Sequence, residues 1–282
     1  MQLTFSWADR IRAPPAAIAS GGPAMLTANK LSKSYGGAPA LDALDLEVPA
    51  GEVFCLLGPN GAGKTTTLSL FLGFIKPSSG AAHVGSTHVE PDPIAARRQI
   101  AYVPEQVRLY PHLTGCENLA YFLGLSRARV PSSAELSRLL TAAGLPEGAV
   151  HRPASGYSKG MRQKVVLALS QAKRAGALLL DEPTSGLDPG AVRELCAAIR
   201  RESDRGAAVL MVTHDLGAVA SIAHRIGVMK AGRLVELASA AGMSEADVLA
   251  LYRRHFDPPG DAAPPLAPRS GASAAAAPEA LS

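Results

Sequence analysis

Short, unbroken apolar runs punctuate the chain, each followed by turn residues and then by apolar positions at helical spacing. The run Glu52-Val-Phe-Cys-Leu-Leu57 enters a glycine-rich turn, and Thr65 to Gly73 continues with helical periodicity. Ala177-Leu-Leu-Leu180 and Ala207 to Thr213 have the same texture. Runs of this length without polar alternation predict strands covered on both faces, as in a parallel sheet flanked by helices. Strands alternating with helices then predict an α/β core with a mostly parallel sheet.

Residues 105–165 read differently. Thr114 and Glu117 fit a capping box ahead of Leu119, Phe122 and Leu123 on one helical face. Ser132 and Glu135 repeat that arrangement ahead of Leu136, Leu139, Leu140 and Ala143, and Gly144 with Pro146 stops the helix. The segment is predicted to be a helical insert in the α/β core, and residues 241–256 a C-terminal helix. Residues 1–24 end in a Pro, Ala and Gly mixture and are predicted to form a flexible extension. From Asp257 the chain is rich in Pro, Ala and Ser and lacks large apolar residues to offset ordering entropy, so 257–282 is predicted to be a disordered tail.

Composition narrows the classes of function. With 282 residues, 47% hydrophobic and 18% charged, the chain can bury one substantial core with a small subdomain. The formal net charge of +4 suits an anionic ligand and argues for no nucleic-acid partner. Cys55, Cys116 and Cys196 stand far apart, outside any CxxC cluster, and are expected to be reduced thiols of a cytoplasmic protein. No apolar run approaches the length of a membrane span, and Asp9 and Arg10 interrupt the place where a signal peptide needs its apolar stretch. The chain is therefore expected to act at a membrane only through a partner.

Gly58-Pro59-Asn60-Gly61-Ala62-Gly63-Lys64-Thr65, with Thr66 after it, satisfies GxxxxGK[ST] between a predicted strand and a predicted helix. Glycines let the backbone wrap phosphates with its N–H groups pointing inward, and the helix N-terminus adds partial positive charge. Lys64 is expected to reach the β- and γ-phosphates, and the Thr65 hydroxyl to coordinate Mg²⁺. The alternative, a chance glycine-rich turn, fits this context poorly. Downstream, an apolar strand ends in Asp181 and Glu182. Asp181 is expected to hold Mg²⁺ opposite Thr65, and Glu182 to polarise the attacking water. Two acids merely capping a strand are the competing reading.

With these two motifs in place, the chain resembles the ABC-type ATPase domain over about residues 25–240. That resemblance implies a P-loop NTPase fold with an N-terminal antiparallel β part and a helical subdomain. It also implies roles. Gln106, in Tyr-Val-Pro-Glu-Gln, is similar to the family's Q-loop glutamine, a Mg²⁺ ligand at the joint with the helical subdomain. Tyr157-Ser158-Lys159-Gly160-Met161 stands at the family signature, most often LSGGQ. There Ser158 and Gly160 would bind ATP held by the opposite subunit, although a Ser-capped helix start explains the local pattern too. Lys159 replaces a glycine and Met161 the glutamine; Gln163 lies close enough in sequence to suggest compensation. Asp188, in Ser-Gly-Leu-Asp, resembles the D-loop and is also a good helix N-cap before Pro189. His214 resembles the switch histidine at the γ-phosphate. Tyr35 matches the aromatic that stacks on adenine, with a core tyrosine as the other reading.

The resemblance further implies an ATP hydrolase using ATP and Mg²⁺ that works as a head-to-tail dimer. A single nucleotide set without internal repeat makes this chain half of that dimer, with an identical chain or a paralogue as the other half. The altered signature and compact insert resemble subunits of exporters with small six-helix permeases, placing the chain peripherally on the inner face of the membrane. A soluble ABC ATPase without a permease, for example a cofactor-assembly scaffold, is the alternative. A different P-loop enzyme would leave Ser158, Asp188 and His214 unexplained together.

Overall fold

The computed structural model describes residues 24–126 and 128–256. The expected extension, apart from Ala24, and the expected tail lie outside the described residues. In chain order the elements are β1 (Ala24–Tyr35), β2 (Ala38–Pro49), β3 (Val53–Leu57), α1 (Lys64–Phe71), β4 (Ser79–Val84) and β5 (Thr87–His88). There follow α2 (Pro93–Arg98), β6 (Ile100–Val103), α3 (Gly115–Leu125), α4 (Ser133–Ala142), α5 (Lys159–Lys173) and β7 (Ala177–Asp181). The chain continues through α6 (Pro189–Asp204), β8 (Ala208–Val212), α7 (Leu216–Ile222), β9 (Arg225–Lys230), β10 (Arg233–Ser239) and α8 (Glu245–Phe256).

Two sheets result, one antiparallel in the order β2-β1-β4-β5 and one in the order β10-β9-β3-β8-β7-β6. In the second sheet β9, β3, β8, β7 and β6 are parallel, and only β10 runs against its neighbour. Its central strands feed two cores. Val53, Cys55 and Leu57 of β3 enter the core shared with the helices, while Phe54 and Leu56 enter the core shared with the antiparallel sheet. Leu178 and Leu180 of β7 divide from Ala177 and Leu179 in the same way. Burial on both faces is why these strands carry no polar alternation. The free thiols of Cys55, Cys116 and Cys196 are buried. Among the described residues no helix is long and apolar enough to cross a membrane.

Parallel register sets the position of the site. Val212 of β8 pairs with Leu56 of β3 on one side and with Asp181 of β7 on the other. The carboxyl ends of β3 and β7 are therefore level, two strand spacings or about 10 Å apart. Such strand ends are where open α/β sheets take their ligands.

The helices α3, α4 and α5 pack together as a helical arm, α5 packs also against β6 and α6, and their buried residues join the core that one face of β3 and β7 lines. The Thr114–Glu117 capping box is complete, with both reciprocal bonds present. The second expected box is only half formed: Ser132 accepts from the Glu135 N–H, but the Glu135 side chain does not reach back. Fully buried Asn118 accepts from the Tyr110 N–H and donates to the carbonyls of Tyr110, Leu113 and Thr114, which ties the incoming loop to α3.

Candidate functional site

The glycine loop leaves β3 at Gly58 and enters α1 at Lys64. Two glycines are required sterically. A Cβ on Gly58 would lie 2.5 Å from the Met229 carbonyl oxygen, and one on Gly63 would lie 2.5 Å from that of Ala40. Gly63 also has φ +103°, in the left-handed region, where it precedes the first helical turn. The loop thus curls against β2 and β9 with its amides free of side chains. Residues Asn60 to Thr66, together with Ala40, Glu105, Asp181 and Glu182, line a cavity of about 430 Å³.

Lys64 reaches back over the loop and donates to the carbonyls of Gly58 at 2.6 Å and Pro59 at 3.1 Å. Burial lowers its pKa, and the nearby carboxylates of Glu182 and Asp181 oppose that shift. The Thr65 hydroxyl lies 3.5 Å from Asp181 Oδ1 across the cavity. Burial raises the Asp181 pKa, and the like charges of Glu182 and Glu105 add to the rise; the Thr65 hydrogen bond and Lys64 counter it. The Tyr102 phenol is pushed up to about 12 by burial and by its contact with Asp181. Glu105, Asp181 and Glu182 thus line the cavity opposite one ammonium, that of Lys64.

Glu182 has φ +45°, unusual for a residue with a side chain, at a strain cost of about 1–3 kcal/mol. Its backbone N–H donates to the Val212 carbonyl at 2.8 Å, which fixes the turn at the strand end. Its Oε2 accepts from the His214 backbone N–H at 3.3 Å and lies 2.8 Å from His214 Nδ1. A carboxylate can only accept, so Nδ1 carries the proton in that contact. Gln106 is exposed and stands outside the residues that line the cavity, while its neighbour Glu105 lines it. Tyr35 is about half exposed at the end of β1, with the Lys33 ammonium 5.1 Å from its ring centroid. Its exposure rules out the core reading.

The signature residues occupy a different place. Tyr157 is buried and donates its hydroxyl to the Ala149 carbonyl at 2.7 Å. Ser158 caps α5 by accepting from the Met161 N–H at 3.2 Å. Asp188 caps α6 by accepting from the N–H groups of Gly190 and Ala191, both at 2.9 Å. These bonds hold its carboxyl below the usual range. Ser158, Gly160, Met161 and Asp188 line a second cavity of about 250 Å³, between α5 and α6. The two cavities share no lining residue.

Gln163 does not compensate for Met161. It is fully buried, turned inward, and donates to the Pro183 carbonyl at 2.5 Å. Two positions apart on a helix point to nearly opposite faces, so closeness in sequence misled. Sequence reasoning also missed Glu105 and Tyr102. The local pattern of β6 gives no hint that Tyr102, and Glu105 beyond the strand's end, act on Asp181 at the end of β7.

A glycine loop between strand and helix, level with an acidic strand end two strands away, defines the class: a P-loop NTPase α/β fold. The ABC transporter family model matches residues 41–185. The chain is 38% identical over 208 residues to the daunorubicin/doxorubicin resistance ATP-binding protein DrrA of Streptomyces peucetius, covering 73% of this chain and 62% of that one. It is 36% identical to the Nod factor export ATP-binding protein I of Paraburkholderia xenovorans, covering 73% and 68% respectively. It is also 34% identical to the spermidine/putrescine import ATP-binding protein PotA of Thermobifida fusca, covering 78% and 58%. Among solved structures, the ATP-binding subunit of an ABC transporter superposes with a TM-score of 0.69 at 28% identity, covering 81% of this chain and 99% of that one. A dimeric ATP-binding cassette in a post-hydrolysis state with ADP and Pi gives 0.69 at 25%, covering 78% and 100%. The chain belongs to the ABC transporter family and carries its ATPase domain. It spans less than two thirds of the length of DrrA and PotA.

Proposed function

We propose that this chain is the ATP-hydrolysing subunit of an ABC transporter, pairing head to tail with a second ATPase subunit and driving a separate integral-membrane permease. The observation that supports this most is the separation of the phosphate-loop cavity from the Ser158 cavity within one chain. Neither is a complete enclosure for ATP, and a second copy brings one against the other.

In this reading the backbone N–H groups of Asn60 to Thr66 and the Lys64 ammonium bind the phosphates, Gly58 and Pro59 shape the loop, and Tyr35 lies against adenine. Ser158 and Gly160 bind the γ-phosphate held by the partner, and Asp188 aligns the two sites. The Thr65 hydroxyl and Asp181 carboxylate are hard oxygen donors 3.5 Å apart, of the kind that suits Mg²⁺. Gln106 would join that set from the loop entering the helical arm. When bound, Mg²⁺ supplies charge neutralisation at the phosphates. Glu182 accepts a proton from the attacking water, His214 holds the carboxylate through Oε2, and the other ring nitrogen of His214, Nε2, would contact the γ-phosphate. The reaction rests on positioning and electrostatics.

The Tyr-Ser-Lys-Gly-Met signature and the likeness to the Nod factor export protein favour export and a place on the inner face of the membrane. The likeness to an import protein makes direction the finer point. Co-purification from solubilised membranes tests the whole assignment. Recovery of an integral-membrane partner that stimulates ATP hydrolysis is expected; exclusively soluble partners would favour a cofactor-assembly scaffold instead.

A further inference from the structure

Lys159 stands where the family signature has a glycine, and its side chain makes a contact that a glycine has no atoms to make. Its Nζ donates to the Ser185 carbonyl at 2.5 Å. One turn further along α5, Gln163 donates to the Pro183 carbonyl, also at 2.5 Å. Residues four apart share a helix face, so this face of α5 grips alternate carbonyls of the segment that follows Glu182. That segment is short and constrained. It begins at Glu182, with its left-handed φ of +45°, and ends at Asp188, which caps α6. Thr184 between the two gripped carbonyls is buried.

We infer that Lys159 is a positioning residue for Glu182. It clamps the 183–185 segment to the first turn of α5, so that contact made at Ser158 is transmitted to the water-polarising carboxylate of the same chain. The inference rests on the proposed roles of Ser158 and Glu182. Gln163 is the fixed end of the clamp, because it is fully buried. Lys159 is the end that moves, because it is half-buried and lies beside the exposed Ser158. A glycine there leaves Gln163 as the one α5 side chain that holds the segment, beside the segment's own turn bonds and the Glu182 N–H bond to Val212.

Steady-state ATP hydrolysis by the full chain, with thermal melting and binding of a fluorescent nucleotide, tests this. Lys159→Met keeps the stem and removes the donor. It is expected to lower kcat about tenfold, with KM, nucleotide affinity and Tm unchanged, and Lys159→Arg is expected to restore most of the rate. A kcat for Lys159→Met within twofold of the parent would overturn the inference. So would a loss accompanied by an equal fall in nucleotide affinity or by a lowered Tm, because the lysine would then act in binding or in folding alone. A parent chain that turns over no ATP in any assembly would overturn the functional reading itself, and this inference with it.

Discussion

At Asp181 function and stability pull in opposite directions. Its folded-state pKa lies above the unfolded value, so between the two the native chain binds more protons. Stability therefore falls as pH rises through that window, and at neutral pH the ionised carboxylate is a net cost. Asp181→Asn is expected to raise the Tm of the nucleotide-free chain near pH 7 and to flatten its pH dependence, while removing Mg²⁺-dependent hydrolysis. A lowered Tm would contradict the strained-cluster account. The glycines separate in the same manner. Gly63→Ala meets both the Ala40 carbonyl and a left-handed backbone, whereas a Cβ on Gly61 has φ +78° but open space around it. The first should lower nucleotide affinity at least tenfold; the second should cost only the left-handed strain, about 1–2 kcal/mol of loop stability. Titration with a fluorescent ATP analogue checks both.

Among the elements, legibility followed burial. β3, β7 and β8 could be read because each feeds two cores and so carries an uninterrupted apolar run. Boundaries were softer: the helix read over Thr65 to Gly73 runs from Lys64 to Phe71, since the glycine loop rather than an N-cap side chain starts it. Contacts across elements left no trace in local pattern. The inward turn of Gln163, the approach of Glu105 to Asp181 and the grip of Lys159 on Ser185 each depend on which way a side chain points once strands and helices are assembled. The complete and half-formed capping boxes make a direct comparison. Thr114→Ala is expected to lower stability by about 1 kcal/mol, and Ser132→Ala by less. Leu123→Ala, at a fully buried position where the arm meets the core, should cost about 2–5 kcal/mol. Urea unfolding with an unchanged m-value would report each as a shift in midpoint.

For the molecule as a whole, the decisive feature is that the motifs assembled by sequence order are divided by the fold between two cavities. Glu182 and Asp188 lie six residues apart on one short connection, yet each belongs to a different cavity. One chain thus carries a phosphate-loop cavity and a signature cavity, joined through the segment that Lys159 and Gln163 hold. Glu182→Gln keeps the shape of a side chain that lines the phosphate-loop cavity and removes the proposed proton acceptor, so it should lower turnover about 10²–10⁴-fold while retaining ATP. Sedimentation of Glu182→Gln with saturating ATP and Mg²⁺, beside the double variant carrying Ser158→Arg, is the most direct test. The single variant should sediment as a dimer, and the double variant as a monomer that still binds ATP through its own phosphate loop, with the weaker apparent affinity that loss of a coupled dimerisation requires. A single variant that stays monomeric when saturated with ATP, or a double variant that dimerises as well as the single one, would contradict a shared site.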